Sequence, residues 1–546
     1  MKLMKPARCV LIAALLTGAA MTVVAQPIFS GDATFVGLPL GARNGSSNLH
    51  VEGGRLYSGP VLIFTDDGET FTNVDDPAFE PNASGRVTIF SLDVEGDVIW
   101  TGLGFVDRDS DGEPQTAAGF AFSEDRGQTW IYRFPQLDAQ DDDTVVYGIS
   151  TLTALPVIVP QQSPPFDVDF DPVTGDVWMA GFASGVRRSS DMGATWDRIV
   201  LPPDTSDRID PQTLYDFDFA PIRGGVQQNG FLGFSVLVDE AGTVWAGTAA
   251  GVSRSDSSDI DSATGDRAWR RFAKDGTDRS VAGNFVISIE EQPVGDPTFP
   301  VGTPENPRNP VWIIGWPADD PTEEFNLTVW VGDDANGDPI FEPKLVPGNR
   351  IFDTAFHGSS VYVAGRDGLY ISDDSGSTWR TVTSFRDALD HLIPIDSDSG
   401  VFSVAVVSSG SGDTELWAGH GDGLMKSTDA GDTWTAFRVN VPTNPTTPTE
   451  AVPTVDSYAY PNPFTPGVDG FCRIRVDLTA DGTAHLRIFD FGMQLVRELE
   501  APVRLGANEI LWDGLTDGGT RIANGTYFYV VDVGGSESTG KILVLR

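Results

Sequence analysis

With 546 residues, the chain is too long for one small hydrophobic core, so several domains or one large repeat array with an appendage are expected. A hydrophobic share of 40% and an aromatic share of 10% are enough to build a core, which excludes an intrinsically disordered protein. The 60 glycines and 37 prolines favour many turns over long helices. Acidic residues outnumber basic residues 78 to 36, and a net charge of −42 argues against binding to nucleic acids or to anionic membranes.

The first 25 residues have the pattern of a secretory signal peptide. Lys2, Lys5 and Arg8 precede a mostly apolar run, and the small residues Val23 and Ala25 stand at the positions that a signal peptidase requires. The alternative is a transmembrane anchor, but the run is short and no basic flank follows it. We therefore expect no membrane span after signal removal, and Cys472 as the one cysteine left, which excludes an internal disulfide.

An acidic loop around residue 110 is a candidate calcium site. Asp107, Asp109 and Asp111 stand at positions 1, 3 and 5 of an EF-hand-like loop, and Gly112 stands at position 6. Position 12 is Ala118 rather than the bidentate Glu, so other oxygen ligands would have to complete the site. The alternative is a solvated hairpin loop. Calcium is the one cofactor that the sequence suggests, and the predicted function requires none.

Two short segments show the alternation of a strand with one packed face. Residues 166–170 read FDVDF and residues 215–219 read YDFDF, so both are predicted to be inner strands of a sheet. Their aspartates would point away from the aromatic rings. We expect these carboxylates to meet solvent at a strand end, and the alternative is an acidic lining near a central channel.

One eight-residue pattern, S-x-D-x-G-x-T-W, occurs four times: SEDRGQTW at 123–130, SSDMGATW at 189–196, SDDSGSTW at 372–379 and STDAGDTW at 427–434. A looser copy reads TDDGETF at 65–71. Ser255-Asp256 followed by Gly265 to Trp269 resembles a copy split by an insertion, and Asp333-Asp334 suggests a degraded one. Four full matches in one chain indicate an internal repeat.

This pattern is the Asp-box, or BNR repeat, and residues 26–440 resemble the Asp-box β-propellers, which include sialidases, sortilin-like receptors and xyloglucan-cleaving glycosidases. The resemblance implies an all-β fold of about seven blades. Aromatic residues of candidate strands near Tyr57, Trp100, Trp178, Trp245, Trp330, Tyr362 and Trp417 give the same count. The spacing from Trp330 to Tyr362 is short for two separate blades, so the alternatives are a misassigned member of this pair and a propeller of six or eight blades. The surplus length is expected in loops, above all at residues 201–230 and 292–310.

The resemblance implies a structural role for the boxes, at turns between the third and fourth strands of a blade. An Asp can accept backbone N–H groups in its own turn, Gly permits a positive φ, and Trp packs between sheets. We therefore assign no catalytic residue. The predicted structural box residues are Ser123, Asp125, Gly127, Trp130, Ser189, Asp191, Gly193, Trp196, Ser372, Asp374, Gly376, Trp379, Ser427, Asp429, Gly431 and Trp434.

A Pro/Thr-rich stretch at 441–457 predicts an extended linker, and residues 458–546 predict a small immunoglobulin-like β-sandwich. This tail resembles the FlgD-like immunoglobulin domain and the related sorting domains of type IX secretion. The matching motifs are YPNPF at 460–464, WDG at 512–514, GTYFY at 525–529 and KILV at 541–544. The resemblance implies export through a secretion machinery, with the product secreted or held on the outer surface of a Gram-negative-type bacterium. The alternative is a plain structural module.

The predicted function is therefore a non-catalytic binding propeller for a protein or glycan ligand. The alternative is a glycoside hydrolase of the sialidase or xyloglucanase kind, which would need an arginine cluster with a tyrosine, or a pair of carboxylates. The nearest match to the sialidase Arg motif, Tyr132-Arg133-Phe134-Pro135, follows a box and is predicted to lie on an outer strand, away from a central pocket. A purely structural spacer is the third interpretation.

Overall fold

The computed structural model describes residues 37–38, 47–74, 76–79, 87–107, 110, 112–223, 225–277, 279–295, 298–318, 323–348, 350–386, 392–395, 400–408, 414–421, 423–439, 457–460, 462–466 and 471–545. The predicted signal peptide lies outside these residues, as does the predicted linker apart from Ser457. The chain is all-β. No helix within the described part of the chain is long and apolar enough to cross a membrane.

Seven antiparallel sheets follow one another along the chain, and each is a four-stranded meander. We number them as blades 1 to 7. Their strands, from first to fourth, have the following bounds.
Blade 1 comprises Ser47–Glu52, Arg55–Gly59, Ile63–Thr65 and Thr72–Asn73; blade 2 comprises Thr88–Glu95, Val98–Val106, Gln115–Ser123 and Ile131–Arg133. Blade 3 comprises Pro165–Phe170, Val177–Gly181, Gly185–Ser189 and Asp197–Arg198; blade 4 comprises Gly233–Val238, Val244–Thr248, Gly251–Ser255 and Trp269–Phe272. Blade 5 comprises Phe285–Glu291, Val311–Trp316, Asn326–Asp333 and Pro339–Lys344; blade 6 comprises Ile351–His357, Ser360–Gly365, Gly368–Ser372 and Arg380–Val382; blade 7 comprises Val401–Ser408, Thr414–His420, Gly423–Ser427 and Thr435–Val439.

The first strands of the seven blades contact one another in a closed ring, and the first strand of blade 7 contacts that of blade 1. This arrangement is a seven-bladed β-propeller, and the first strands surround its central channel. The predicted fold class and blade number are therefore confirmed. A two-residue strand, Gly37–Leu38, pairs in parallel with the fourth strand of blade 7, at Arg438 and Val439. Residues from the two ends of the propeller sequence thus share one sheet.

Burial of large rings on the second strands explains how the blades pack. Trp100, Trp178, Trp245, Trp312 and Trp417 are each at most 2% exposed, and each directly follows a buried aliphatic residue. Each ring fills the space between its own blade and the next, and burying a ring of this size removes a large apolar area from water. The propeller core is thus a set of inter-blade clusters.

Two expectations about strands were wrong. Trp330 lies on the third strand of blade 5, not the second, and Trp312 holds the second-strand position. The insertion at 292–310 separates the first and second strands of that blade, and the second strand, Val311–Trp316, precedes Trp330 in the sequence. Residues 215–219 form no strand beyond one bridge residue, Phe219. Their alternating rings pack instead on Tyr147 and Phe231.

Additional elements lie in the connections between blades. Three small hairpins comprise Thr144–Tyr147 with Ser150–Thr153, Ile222–Arg223 with Val226–Gln227, and Ser384–Arg386 with Leu392–Pro394. Arg208–Ile209 adds a fifth strand to the outer edge of blade 4. Single 3-10 turns occur at Pro77–Phe79, Pro160–Gln162, Asn229–Phe231 and Ser257–Asp259.

The C-terminal residues form a β-sandwich, as predicted. One sheet has the order Ser457–Tyr460, Cys472–Leu478, Gly506–Trp512, and the other has the order Leu495–Val503, Gly482–Phe489, Gly525–Val533, Ser536–Val544. Three of the sequence motifs meet in its core. The Trp512 ring lies 5.9 Å from that of Phe464 and 5.8 Å from that of Tyr527, between ring centroids.

Candidate functional site

The four predicted boxes lie at turns between the third and fourth strands of blades 2, 3, 6 and 7, and their geometry is the same in each. In blade 2, Ser123 Oγ donates to Asp125 Oδ1 at 2.8 Å and accepts from the Gly127 amide at 2.8 Å. The carboxylate also accepts from the Thr129 amide at 2.8 Å and from its hydroxyl at 2.7 Å. The other three boxes repeat these bonds around Asp191, Asp374 and Asp429.

The looser copy in blade 1 has the same network in a turn one residue shorter. Thr65 replaces the serine, and the Asp67 carboxylate accepts from the Thr70 amide and hydroxyl at 2.7 and 2.6 Å. Because these bonds stabilise the ionised carboxylate, the pKa of each box aspartate lies below its ordinary value. For Asp374 the Thr378 hydroxyl is the largest cause, and the pKa falls to about 2.

Box residues also reach the preceding blade. The Trp196 ring stacks on Phe120 of blade 2 at 5.1 Å, and a Cβ placed on Gly193 would stand 3.0 Å from the Trp100 ring. Gly193 has φ +74°, a region that side chains disfavour. These contacts support the predicted structural role of the boxes.

A second group of acids lies on the first strands, along the central channel. Asp93, Asp169 and Glu290 occupy equivalent positions in blades 2, 3 and 5, each opposite the second-strand tryptophan of its own blade. Asp167 and Asp353 occupy another equivalent position, two residues earlier in blades 3 and 6, opposite an alanine. The sequence analysis favoured solvent for Asp167 and Asp169, and this was wrong. Both are half-buried on the first strand of blade 3, beside the neighbouring blade.

Four of these five aspartate and glutamate side chains connect their blade to the next. Asp167 Oδ2 accepts from the Val236 amide of blade 4 at 2.9 Å, and Asp353 Oδ2 accepts from the Val404 amide of blade 7 at 3.0 Å. Asp93 Oδ2 accepts from the Phe170 amide of blade 3 at 2.7 Å. Asp169 accepts from the Val238 amide of blade 4. The first strand is the inner edge of each sheet, so these N–H groups face the channel with no strand partner and need such acceptors.

Burial dominates the ionisation of this group. It raises the pKa of Asp167 and of Asp353 to about 7, although both accept two backbone hydrogen bonds that favour the ionised form. Burial also raises the pKa of Asp93, where the nearby His50 ring acts in the opposite direction. For Asp169, burial comes first and the charges of Asp93 and Asp167 come next. A carboxyl in this channel therefore holds its proton to higher pH than a surface one.

Glu290 differs from the other four because no hydrogen bond joins it to another described residue. Its pKa is raised first by burial and then by the charges of Asp353, Asp167 and Asp93. The sequence analysis missed Asp93, Glu290 and Asp353 altogether. A single acid inside an apolar run, as in Leu92-Asp93-Val94, was the available signal.

The remaining sequence candidates fall elsewhere. Asp109 and Asp111 of the calcium loop lie outside the described residues, while Asp107 accepts from the Ser110 hydroxyl at 2.6 Å. No group of three or more His, Cys, Asp or Glu among the described residues is placed to hold a metal ion. Tyr132 and Arg133 lie on the fourth strand of blade 2, as predicted, and therefore far from the channel.

Two of the cavities among the described residues open between blades. The larger, of about 490 Å³, lies between blades 3 and 4 and is lined by aromatic rings, arginines and the hairpin that starts at Thr144. The smaller, of about 330 Å³, lies between blades 7 and 1, beside Glu415 and the box of blade 1. Both volumes lie in the range of small-molecule sites, while the lining of the larger cavity is more polar than such sites usually are.

No protein-family model and no curated protein matches the chain. Several solved structures are similar to it. PorZ, a surface component of the type-IX secretion system of Porphyromonas gingivalis, is 13% identical over 92% of this chain and 70% of its own, with a TM-score of 0.35. YCF48 from Cyanidioschyzon merolae is 14% identical over 78% and 95%, with a TM-score of 0.34. An ancestral GH74 enzyme is 13% identical over 92% and 72%, with a TM-score of 0.30. Similarities this weak carry no argument about the activity of this protein. The ring of seven sheets, together with the two packed sheets of the C-terminal residues, identifies the chain as a β-propeller followed by a β-sandwich.

Proposed function

We propose that the protein is an exported, non-catalytic binding propeller, secreted or held on the outer cell surface, whose ligand is a protein or a glycan. The basic and apolar pattern of residues 1–25 supports export. The C-terminal sandwich, with its FlgD-like motifs gathered in the core, supports a role as the part that a secretion machinery recognises.

One observation carries the binding function over catalysis. A glycosidase uses two carboxylates that are free to transfer a proton or attack the sugar. In this channel Asp93, Asp167 and Asp353 each accept a hydrogen bond from a backbone amide of the next blade. Those carboxylates therefore hold blades together. Both cavities lie between blades, with linings that include aromatic rings.

A glycoside hydrolase is the second candidate, and Glu290 is the observation that favours it. Burial and the neighbouring charges of Asp353, Asp167 and Asp93 raise its pKa, which favours the protonated state that a general acid needs. Asp353, on the first strand of the next blade, also has a raised pKa and would be the paired carboxylate.

The two functions separate in one experiment. The purified mature protein is incubated with a mixed library of plant, algal and sialylated glycans, and mass spectrometry follows both cleavage products and retained ligands. Retention of a glycan without cleavage is the expected result, and its absence would direct the search to a protein partner. New reducing ends or free sialic acid that disappear in Glu290→Gln would establish the hydrolase instead. The same Glu-to-Gln change at an exposed acid of the sandwich, Glu500→Gln, is the matched control.

Calcium and secretion need tests of their own. The library experiment is repeated with added Ca²⁺ and with a chelator, and a calcium effect that is lost in Asp107→Asn would support the acidic loop as the site. For secretion, the full chain and a chain ending at residue 440 are expressed in a bacterium that has type IX secretion. Loss of the shorter protein from the outer surface would support the sorting role, and equal export of both would contradict it.

A further inference from the structure

The cavity between blades 3 and 4 exists where the repeat is interrupted. In two other grooves a box glycine packs against the second-strand tryptophan of the preceding blade, Gly193 on Trp100 and Gly376 on Trp312. Blade 4 carries no such turn. Its third strand ends at Ser255, where the box should begin, but a 3-10 turn and a loop run on to Trp269. The groove beside Trp178 therefore has no box glycine to fill it, and a space of about 490 Å³ remains.

Two arginines take the place of that turn. The guanidinium carbon of Arg188, from blade 3, lies 5.9 Å from the centre of the Trp178 ring, and that of Arg267, from blade 4, lies 5.6 Å from it. Both side chains line the cavity. Stacking on a tryptophan holds a guanidinium group in place and leaves its N–H edge available for a partner in the same plane.

Neither arginine is neutralised at hydrogen-bond distance. Arg267 has no carboxylate within 4.0 Å among the described residues, and its closest acceptors are the carbonyl oxygens of Ser255 and Asp256 at 3.3 and 3.5 Å. The nearest carboxylates to Arg188 belong to Asp197 and Asp176, at 3.6 and 3.8 Å. The Nε atoms of both arginines are buried and have no acceptor in the part of the chain that is described.

A third arginine of the same lining, Arg198, differs because its guanidinium group has close acceptors. Arg198 donates to the carbonyl oxygen of Thr144 at 2.6 Å and pairs with Asp142 at 2.9 Å. The other acids of the lining are also accounted for. Asp266 accepts from the Gly148 amide at 2.7 Å, which fixes the neighbouring hairpin, and Asp197 is 71% exposed to solvent.

Arg188 and Arg267 also repel each other. The pKa of Arg267 is lowered by burial first and by the charge of Arg188 second, and the charges of Asp171, Asp176 and Asp259 offset part of this effect. An anion between the two would relieve this repulsion, and a carboxylate could accept two parallel N–H bonds from either guanidinium group.

We infer that this cavity binds a small organic carboxylate, whose charged group lies between Arg188 and Arg267 and whose ring or chain packs against the side chains of Val146 and Trp196. The space is larger than an inorganic anion needs, and its wall offers aromatic and aliphatic surface to the rest of such a ligand. This inference rests on the proposed binding function and deepens it, because it names the chemistry of one ligand.

The test is isothermal titration calorimetry of the full mature chain with matched acid and neutral probes. The sugar pair is glucuronate and glucose, the aromatic pair is benzoate and benzamide, and inorganic phosphate is the fifth probe. We expect at least one carboxylate to bind with a Kd below about 1 mM while its neutral partner fails to bind, since a millimolar Kd is the lower end of specific recognition. Which pair responds tells a sugar acid from an aromatic acid.

Two variants locate the site, and a third controls for charge. Arg267→Gln and Arg188→Gln should each weaken the carboxylate at least tenfold. Arg126→Gln, which removes the same charge from an exposed arginine in the blade 2 box, should leave the Kd unchanged. Circular dichroism and the Tm confirm that each variant is folded. If one site variant fails to fold, the other still tests the site.

Three results would overturn the inference: no carboxylate binds, only phosphate binds, or the carboxylate binds both site variants as tightly as it binds the wild type. These outcomes are independent of the glycan library. Cleavage of a glycan in the library would contradict the non-catalytic proposal even if the cavity binds a carboxylate. Failure of the cavity to bind a carboxylate would not affect the retention of a neutral glycan or of a protein partner.

Discussion

The turns at the outer edge of the propeller and the inner strands of its channel use the same interaction with opposite electrostatic results. In both places an aspartate accepts backbone amides, as Asp374 does from Thr378 and Asp353 does from Val404. The pKa of Asp374 falls to about 2, while the pKa of Asp353 rises to about 7. The box carboxylate keeps its water, whereas the channel carboxylate loses most of it. Hydrogen bonds alone therefore do not decide the charge of an aspartate; burial does.

The largest effect that we expect from this difference in burial is on the pH dependence of stability. The pKa of Asp167 and Asp353 is about 7 in the folded chain and near 4 when unfolded, so the folded state binds more protons between these values. Stability should therefore fall as pH rises from 5 to 7, by about 1.4 kcal/mol per pH unit for each such carboxyl. Urea unfolding at several pH values measures the slope. In the double variant Asp167→Asn/Asp353→Asn the slope should be flatter, and an unchanged slope would show that these carboxyls do not cause it.

Removing a channel acceptor is the next largest change. Asp353→Ala leaves the amides of Thr354 and Val404 without their acceptor, and each unsatisfied buried group costs about 1–3 kcal/mol. We expect a clear fall in the free energy of unfolding at pH 6, measured in urea. Asp353→Asn keeps one acceptor oxygen and should lose less. If the Ala variant were as stable as the Asn variant, the bridge between blades 6 and 7 would contribute nothing.

A box glycine gives a smaller effect with a matched control. Gly193→Ala puts a side chain at φ +74° and 3.0 Å from the Trp100 ring, whereas Gly225→Ala meets a similar φ of +84° with open space around it. The backbone conformation costs about 1–2 kcal/mol at either site. Thermal unfolding should show the larger fall in Tm for Gly193→Ala, and the difference measures the contact between box and preceding blade. Equal falls would mean that the Trp100 contact is immaterial.

The smallest effect, and one of opposite sign to the first, is expected at the box aspartate itself. Because the pKa of Asp374 is about 2 when folded and near 4 when unfolded, its contribution is present above pH 4 and is lost as pH falls towards 2. The Tm of Asp374→Asn should therefore lie below that of the wild type at pH 6, and the gap should narrow at pH 3. A gap that widens in acid would contradict the assignment.

Local patterns could be predicted from the sequence, and non-local ones could not. Every bond of the box at Asp125 joins residues within one turn, so eight consecutive letters specify it. The Asp353 carboxylate reaches Val404, 51 residues away, and no spacing rule connects the two. The sandwich motifs could be recognised from the sequence because a large aromatic residue such as Trp512 indicates a core position, even when its contacts are unknown.

The errors have the same origin. Residues 215–219 alternate like a strand because their rings pack on a neighbouring hairpin and on Phe231, which is a tertiary contact that imitates the strand period. Trp330 has the sequence surroundings of a second-strand tryptophan, and only the pairing of Val311–Trp316 with both of its neighbours places it on the third. The groove at Trp178 could have been suspected from the split box, but the meeting of Arg188 and Arg267 there depends on two different blades.

The parallel pairing of Gly37–Leu38 with the last blade has a consequence for the order in which the molecule can be completed. A chain made from its first residue onward presents this short segment long before the residues near 438 exist, so it must wait through the synthesis of seven blades. Until then the terminal strand of any finished blade 7 in another copy is an equally good partner. Slow synthesis and high local concentration should therefore favour exchanged dimers, and dilution during refolding should favour the closed monomer.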